Sequence, residues 1–431
     1  MEKSKRVKDI LKKQLEVIKP SEHESERLNA EVKNFTQKLG QKLNEKKVRA
    51  DVFIGGSFAK NTIIRKKHYD VDLFLAFDKK IKEPELNEMV ERIKDIKGYE
   101  RRVVKGSRNY LNFDKENILF EVIPVVKIKS PKEARNITDL SLFHVKYIAG
   151  CVKKNKNLLD DIRLAKAFAY ASGCYGAESY IKGFSGYGIE LLVCHYKSFM
   201  NFVKSIVNAK KEEKIIIDPE KFYRNRKDVL LNLNEAKLES PIVFVDPTYK
   251  ERNALAALSE ETFEKFKKYC KDFLKSPGQK FFEVKQVDED RMKILAKRKN
   301  GKFIKILART SKQKGDIAGS KLLKFYNLFT RELEKIADIY QKEFQYSEKD
   351  SAYFYFVIKE KKGVLIKGPP VKLKVAVQRF KEKHKKVFVK AGRVYAKSSK
   401  SLDFAAFFHT FQKTCIKVMS DMGITEISLV H

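Results

Sequence analysis

Two aspartates on one predicted strand are the residues whose type and spacing could first do chemistry. Asp70-Val71-Asp72 lies within the apolar run from Tyr69 to Phe77, which predicts a β-strand. Alternate side chains of a strand share a face, so we expect Asp70 and Asp72 to point the same way. Two adjacent carboxylates repel each other unless a cation lies between them, and oxygen ligands suit Mg²⁺. The alternative is a solvated face of an edge strand.

A third carboxylate is expected on another strand. Glu121 is the one acid in the otherwise apolar segment from Ile118 to Pro124, within a strand predicted over residues 117–127. An acid on a buried strand is costly unless it is paired or bound to a metal. Asp114 and Glu116 lie in a polar turn and are predicted to be solvated, so Glu121 is the better candidate for a metal site.

A glycine-rich turn precedes the two aspartates. Gly55-Gly56-Ser57 follows a short strand predicted over residues 48–54, and Asp70 follows Ser57 by 13 residues. Backbone amides at the start of a helix can hold a phosphate, the Ser57 hydroxyl can donate as well, and Lys60 lies one turn further on. Nucleotidyl transfer needs this order, because the turn holds the triphosphate and the acids hold the bridging metal ions. The alternative is an ordinary turn.

The elements that position these residues predict an α/β (α+β) chain of several domains. The predicted domains are a mixed head over 1–141, a helical neck over 142–274, a body over 275–340 and a tail over 341–431, with the C-terminal helix returning to the body as an alternative. Predicted elements include helices over 6–46 with a capping box at Ser21 and Glu24, a strand over 101–113, helical segments over 158–172, 186–208 and 262–274, a hairpin turn at Asn300-Gly301, a helix over 321–340, a strand over 353–358 and a helix over 402–422.

Composition indicates an anionic partner. The chain has 431 residues and a net charge of +36, with 43% apolar residues, enough for several cores. Such an excess of positive charge destabilises the folded state by self-repulsion and favours nucleic acid as a partner, whereas a generally basic proteome is the alternative explanation.

Composition also bears on the compartment. No run of about 18 apolar residues predicts a transmembrane helix, and residues 1–13 lack the apolar core of a signal peptide. Five widely spaced cysteines, without a C-x-x-C pair, predict reduced thiols. We therefore expect a cytoplasmic protein that does not bind membranes.

The motifs resemble a known family. Gly56-Ser57, Asp70-Val71-Asp72 and the acid at 121 resemble the minimal nucleotidyltransferase fold shared with polymerase beta. Further motifs are similar to those of archaeal, class I, CCA-adding tRNA nucleotidyltransferases, and the resemblance runs from about Ile54 to Phe282. These motifs are Leu142-Phe143-His144, Arg163-Leu164-Ala165-Lys166, Tyr175-Gly176-Ala177-Glu178, Gly183-Phe184-Ser185-Gly186-Tyr187 and Asp246-Pro247 with Arg252-Asn253.

The resemblance implies residue roles. Gly56, Ser57 and Lys60 would bind the triphosphate, whereas Asp70, Asp72 and Glu121 would be catalytic and hold Mg²⁺. His144, Lys166 and Tyr175 would contact the phosphates and sugar of the incoming nucleotide. Arg252 would help to select the base; alternatively Arg252 contacts the tRNA backbone. From proximity in the sequence, and not from the resemblance, we expect Asp246, six residues earlier, to orient Arg252. Two positions depart from the family pattern: Lys60 stands where Arg is more frequent, and Glu121 stands where Asp is usual.

The resemblance also implies a reaction and partners. We expect template-independent addition of C, C and A to the 3′ end of tRNA from CTP and ATP, by two-metal transfer that releases pyrophosphate. The body and tail would bind the acceptor and T-stem, and the oligomeric state stays open, with a homodimer as one arrangement. The alternatives are a poly(A) or oligonucleotide polymerase of the same superfamily and a catalytically silent RNA-binding protein.

Overall fold

The chain folds into two units in the computed structural model. The model describes residues 2–104, 108–210, 213–284, 286–311, 315–347, 349–361, 364–384, 386–398 and 403–430. Unit 1 comprises Met1–Ala177 and Ile181–Val284, and unit 2 comprises Glu178–Tyr180 and Lys285–His431. The finer division into head, neck, body and tail stays a prediction; its boundary at 340/341 falls within a strand. In the described part of the chain, no helix is both long enough and apolar enough to cross a bilayer.

Unit 1 combines a mixed sheet with a helical region. Its helices are α1 (Glu2–Ile18), α2 (Glu22–Glu45), α3 (Gly56–Ala59), α4 (Glu83–Arg92), α5 (Ser141–Lys154), α6 (Leu158–Ala171), α7 (Gly186–Tyr196), α8 (Phe199–Asn208), α9 (Arg226–Asn232), α10 (Glu235–Leu238) and α11 (Glu260–Lys275). Its strands are β1 (Asp51–Ile54), β2 (Tyr69–Phe77), β3 (Glu100–Val104), β4 (Tyr110–Lys115), β5 (Ile118–Val126), β6 (Ile215–Ile217), β7 (Ile242–Asp246) and β8 (Tyr249–Asn253).

A five-stranded sheet positions the predicted acids. Its order is β1-β2-β5-β4-β3, with β2 and β5 parallel and the other pairs antiparallel. One face carries Val71, Leu73 and Leu75, which pack against the apolar stripe of α2. Since strand side chains alternate, Asp70 and Asp72 must lie on the opposite face. The predicted capping box forms at the start of α2, where the Ser21 hydroxyl accepts from the Glu24 amide and the Glu24 carboxylate accepts from the Ser21 amide.

The helical region of unit 1 has its own core. Phe168 of α6 contacts several aromatic rings, among them Phe199, Phe266 and Phe273. The first helix, α1, contributes Ile18 to this core and packs on α6. This packing fixes α6 and α7 beside the loop that leads from α3 to β2.

Unit 2 contains two further sheets. Its elements are α12 (Glu289–Arg298), β9 (Lys302–Thr310), α13 (Gly315–Ile336), β10 (Ala337–Tyr346), β11 (Ser351–Glu360), β12 (Val364–Pro370), α14 (Lys374–Lys383), β13 (Val387–Lys390), β14 (Arg393–Ser398), α15 (Phe404–Thr414), α16 (Ile416–Asp421) and β15 (Ile424–Leu429). The larger sheet has the order β10-β11-β9-β15 and packs on α13 and α15, and the smaller has the order β12-β14-β13. Strands from both the predicted body and the predicted tail pair in the larger sheet.

Some element predictions were wrong in type or extent. The single strand predicted over 101–113 is two strands, β3 and β4, and the segment predicted as helical over 186–208 is two helices separated by Lys197 in the left-handed conformation. Asn300-Gly301 does not form a hairpin turn but ends α12, because the Gly301 amide donates back to the Ala296 carbonyl.

Tertiary pairing and a helix break account for two further errors near the C-terminal end of the sequence. The helix predicted over 321–340 ends at Ile336, because Ala337 pairs with Glu360 of β11. The helix predicted over 402–422 is divided at Cys415 into α15 and α16. In both cases the helical spacing of apolar residues in the sequence continues beyond the residue at which the helix ends.

Candidate active site

The three predicted acids lie in a row across the sheet. Asp72 of β2 is directly opposite Glu121 of β5 in the parallel register, and Asp70 lies two residues before Asp72 on the same face. Burial, followed by the Asp70 charge, raises the pKa of Asp72 above its usual range. Burial, together with Asp72 and Asp70, raises the pKa of Glu121 to about 7. These carboxylates therefore destabilise one another as anions, which a bound cation would relieve.

Asn112 continues the row on the far side of Glu121. It lies opposite Glu121 in the antiparallel register of β4 and β5, and its side chain hydrogen-bonds the Glu121 carboxylate, which lowers the pKa of that acid. The Asn112 Oδ1 atom is buried without a hydrogen-bond partner. Within the described ranges, no three His, Cys, Asp or Glu side chains converge closely enough to enclose one ion.

The glycine-rich turn packs directly beneath this row. Gly56 has a φ of +57°, a left-handed conformation that favours glycine. A Cβ atom at this position would lie 1.6 Å from Asp72 Oδ2, and one at Gly55 would lie 2.1 Å from the Phe74 ring. The absence of side chains at Gly55 and Gly56 therefore allows the turn to lie close to Phe74 and to the Asp72 carboxylate.

Two predicted phosphate-binding lysines converge on a single acid, Glu190. The Nζ of Lys60 is 2.5 Å from Glu190 Oε2, the Nζ of Lys166 is 2.7 Å from Glu190 Oε1, and the Thr62 hydroxyl donates to Oε1 at 2.8 Å. The Glu190 side chain is fully buried. Although burial alone would raise its pKa, Lys166 and Lys60 lower the pKa of Glu190 to about 2. Glu190 is therefore an anion that holds two ammonium groups.

Lys166 is the more buried of the two lysines. Burial, against the attraction of Glu190, lowers the pKa of Lys166 from its usual value. Its Nζ also donates to the Thr62 hydroxyl at 2.8 Å. With 4% of its side chain exposed, Lys166 is not a surface lysine.

A small cavity of about 30 Å³ joins the turn, the acids and Lys166. Ser57, Asp70, Lys166 and Tyr175 all line it. These residues come from α3, β2, α6 and the segment after α6, so the fold brings together side chains that are up to 118 residues apart. The Lys66 side chain lines the same cavity, although the sequence did not indicate a role for it.

A second cluster surrounds Asp246. Its carboxylate accepts from Arg252 Nη1 and from the Tyr187 hydroxyl, the latter at 3.2 Å, and His144 Nε2 lies 3.2 Å away. Burial would raise the pKa of Asp246, but His144 and Arg252 hold it well below its usual range. The guess that Asp246 orients Arg252 is thus matched by a direct ion pair between them. Arg252 also lines a separate cavity of about 270 Å³ with Ser185 and Asn253.

Tyr187 connects the two clusters. Its ring stacks on His144 with centroids 4.0 Å apart. The Lys60 Nζ lies 5.9 Å from the ring centroid and the Arg252 guanidinium carbon lies 5.7 Å from it, within cation–π range. Tyr187 was part of a family motif in the sequence but had no assigned role.

The structure thus brings the predicted site residues into one connected region of unit 1. Glu190 is the residue that the sequence analysis missed. Its signal was available, because Ile189-Glu190-Leu191-Leu192-Val193 isolates one acid in an apolar segment, as the neighbours of Glu121 do. That segment was interpreted only as a core helix.

Unit 1 has the polymerase-beta-like nucleotidyltransferase fold. The solved structure of a cytoplasmic RNA terminal U-transferase is similar to this chain with a TM-score of 0.51 and 13% identity. The aligned region covers 66% of this chain and 100% of the U-transferase chain. The Cid1 poly(U) polymerase, solved with MgATP bound, has a TM-score of 0.52 over 64% of this chain and 98% of its own, at 13% identity. At such identities the likeness shows the fold alone.

Sequence comparisons narrow the class. Residues 160–283 match the family described as tRNA nucleotidyltransferase, second domain, and residues 6–141 match the Second Messenger Oligonucleotide or Dinucleotide Synthetase domain. The CCA-adding enzyme of Nanoarchaeum equitans is 34% identical over 80% of this chain and 83% of its own length. That of Methanocaldococcus jannaschii is 30% identical over 90% of this chain and 87% of its own length. The chain belongs to the CCA-adding enzymes.

Proposed function

We propose that the site in unit 1 adds C, C and A in turn to the 3′ end of tRNA, using CTP and ATP and releasing pyrophosphate at each addition. The observation that carries this proposal is the row of Asp70, Asp72 and Glu121 beside two buried lysines, in a chain of this family. The acids attract metal ions and the lysines attract phosphates, so the two halves of a metal–triphosphate substrate have matching partners.

The chemistry of the row suits Mg²⁺, although among the described residues Asp70, Asp72 and Glu121 lie side by side on the sheet and do not converge on a single point. Three carboxylates provide the hard oxygen donors that this ion prefers. The raised pKa values of Asp72 and Glu121 show an excess of like charge that a divalent cation would neutralise. When bound, Mg²⁺ would lower the pKa of the RNA 3′-hydroxyl and stabilise the leaving pyrophosphate.

The remaining residues bind and orient the nucleotide. Ser57, Lys60 and Lys166 bind the triphosphate, with Glu190 holding both ammonium groups in place. Tyr175 and His144 contact the phosphates and the sugar. Holding the α-phosphate against the hydroxyl in this way accounts for much of the rate, because the reactants are positioned in advance.

Base selection is proposed for Arg252. Cytosine and adenine each present an exocyclic amino donor beside a ring-nitrogen acceptor, whereas uracil and guanine present a carbonyl acceptor beside an N–H donor. The ion pair with Asp246 fixes the guanidinium, so one of its N–H groups can donate to the ring nitrogen. A wrong base would leave buried groups unpaired, which is costly.

The tRNA is bound mainly through its backbone and shape. The net charge of +36 supplies the electrostatic attraction. In unit 2, Lys372, Lys374, Arg379 and Lys383 lie around a cavity of about 760 Å³ beside α14, whose lining is otherwise mainly apolar and includes Leu373 and Val375. These four basic side chains in the predicted tail support binding of the acceptor and T-stem by phosphate contacts.

The test is incubation with tRNA that lacks its 3′ CCA, first with each nucleoside triphosphate alone and then with pairs. We expect CTP alone to give two additions, ATP alone to give none, and both together to give three additions and a stop. The Asp72→Asn variant should be inactive, and Asp51→Asn, an exposed acid on β1, should be active. Continued A addition would instead indicate a poly(A) polymerase, and binding of tRNA without pyrophosphate release would indicate a silent RNA-binding protein.

A further inference from the structure

Lys66 lines the small cavity that also contains the predicted phosphate-binding residues. Ser57, Lys166 and Tyr175 lie on its walls, together with Asp70. Its volume of about 30 Å³ leaves room for a small polar group. A phosphate oxygen is one group that this cavity can admit.

Aromatic rings hold the Lys66 ammonium beside this cavity. Its Nζ is 5.3 Å from the centroid of the Tyr170 ring and 5.6 Å from that of the Tyr175 ring. The nearest acid is Asp70, whose Oδ2 lies 3.9 Å from Nζ, longer than a hydrogen bond. The Lys66 side chain is 28% exposed and that of Asp70 is 55% exposed, so solvent screens this ion pair. The ammonium is thus oriented by the rings and only weakly neutralised.

The three lysines differ in their acidic partners. Lys60 and Lys166 pair with the buried Glu190 and are also attracted by Asp72, whereas the nearest acid to Lys66 is Asp70. In the proposed function Asp70 holds Mg²⁺, and its charge is then no longer available to Lys66. The lysine is left as an uncompensated cation at a cavity that already attracts phosphate.

We propose that Lys66 is a third cationic residue of the phosphate site and donates to an oxygen of the β- or γ-phosphate of the incoming nucleoside triphosphate. This inference rests on the proposed function, since it assigns the anion to the nucleotide. The chemically equivalent source is the terminal phosphate of the RNA. We commit to the nucleotide because Ser57 and Lys166 line the same cavity.

The test compares Lys66→Met with Lys67→Met, since Lys67 is the exposed neighbour in the same loop. Binding of ATP, ADP and AMP is measured by titration calorimetry with Ca²⁺ in place of Mg²⁺ to prevent turnover. A charged hydrogen bond contributes about 1.5 to 3 kcal/mol, so we expect about a tenfold or greater loss of ATP affinity in Lys66→Met. AMP affinity should change little, Lys66→Arg should restore ATP binding, and Lys67→Met should behave as wild type.

Three results would overturn the inference. Equal ATP affinity in the two Met variants would show that Lys66 does not contact the triphosphate. Equal losses for ATP and AMP would indicate a structural role, and a loss confined to binding of tRNA ending in CC would assign the lysine to the RNA phosphate. The proposed function is judged separately, because it is tested by addition of C and A in the wild type, whatever the Lys66 variants show.

Discussion

Replacing Glu190 with Gln should destabilise unit 1 and weaken nucleotide binding together. The amide keeps the size of the side chain but removes the charge that both Lys60 and Lys166 face. All three side chains are buried, with exposures of 0%, 7% and 4% respectively for Glu190, Lys60 and Lys166. Breaking a buried ion pair from one side costs about 3 to 5 kcal/mol, because the remaining charge is left without a partner.

The lowered pKa of Glu190 gives a contribution to the free energy of unfolding of similar size. A carboxyl whose pKa falls from 4.5 in the unfolded chain to about 2 in the folded protein contributes about 3 kcal/mol of stability when it is ionised. Since the folded pKa is the lower one, this stability is fully present above pH 4.5 and is lost as the pH falls towards 2. The wild type should therefore lose stability over this window, and the variant should lose less.

The assay is urea unfolding at pH 7 and at pH 3, together with the Michaelis constants for CTP and ATP. Glu264→Gln is the matched control, because its side chain on α11 is 52% exposed and pairs only with Lys267 at the edge of ion-pair range. We expect the control to change stability by about 0.5 kcal/mol or less. Wild-type stability at pH 7 in Glu190→Gln, or the same loss at both pH values, would refute the reasoning.

Four further predictions concern the reaction. Asp72→Ala should abolish nucleotide addition and leave tRNA affinity in a filter-binding assay largely unchanged, because the acids serve the metal; turnover at the wild-type rate would contradict this role. Gly56→Ala should lower kcat at least 100-fold, since its Cβ would lie 1.6 Å from Asp72 Oδ2, whereas Gly40→Ala, with nothing within 4 Å, should retain activity. Arg252→Ala, assayed with all four nucleoside triphosphates at saturating tRNA, should lose about 10- to 100-fold in preference for CTP and ATP over UTP; a higher Michaelis constant for tRNA with unchanged preference would assign the arginine to the RNA. Affinity for tRNA should fall about 10³-fold between 50 and 200 mM salt if about six phosphates are contacted, and a flat salt profile would exclude binding through the backbone.

The sequence predicts the catalytic strand well because several local signals agree there. Tyr69 to Leu73 alternates between apolar and acidic residues, the apolar run continues to Phe77, and the structure gives a strand over Tyr69–Phe77. Glu121 could be identified because an acid inside an apolar strand is costly without a partner. Its place opposite Asp72 could not be read from the sequence, since it depends on the parallel register of β2 and β5.

The contacts that complete the site depend on tertiary packing. Lys60 and Glu190 are 130 residues apart and meet only because α6 and α7 pack beside the loop after α3. No periodicity in the sequence indicates such a pair. The same limit explains the end of α13 at Ile336. The apolar residues of the sequence keep a helical spacing beyond this point, but the backbone from Ala337 onwards pairs with β11 as a strand.

The helix α7 couples the phosphate cluster to the base cluster. Tyr187 and Glu190 are three residues apart on this helix and therefore share a face. Glu190 holds the two lysines proposed for the triphosphate, and the Tyr187 hydroxyl donates to Asp246, which holds the arginine proposed for the base. A displacement of α7 would thus move both sets of groups at once. Because the two recognition tasks share one rigid element, a nucleotide whose base does not fit Arg252 would also place its phosphates wrongly against Lys60 and Lys166, so that an error in the base is converted into a loss of transfer rate.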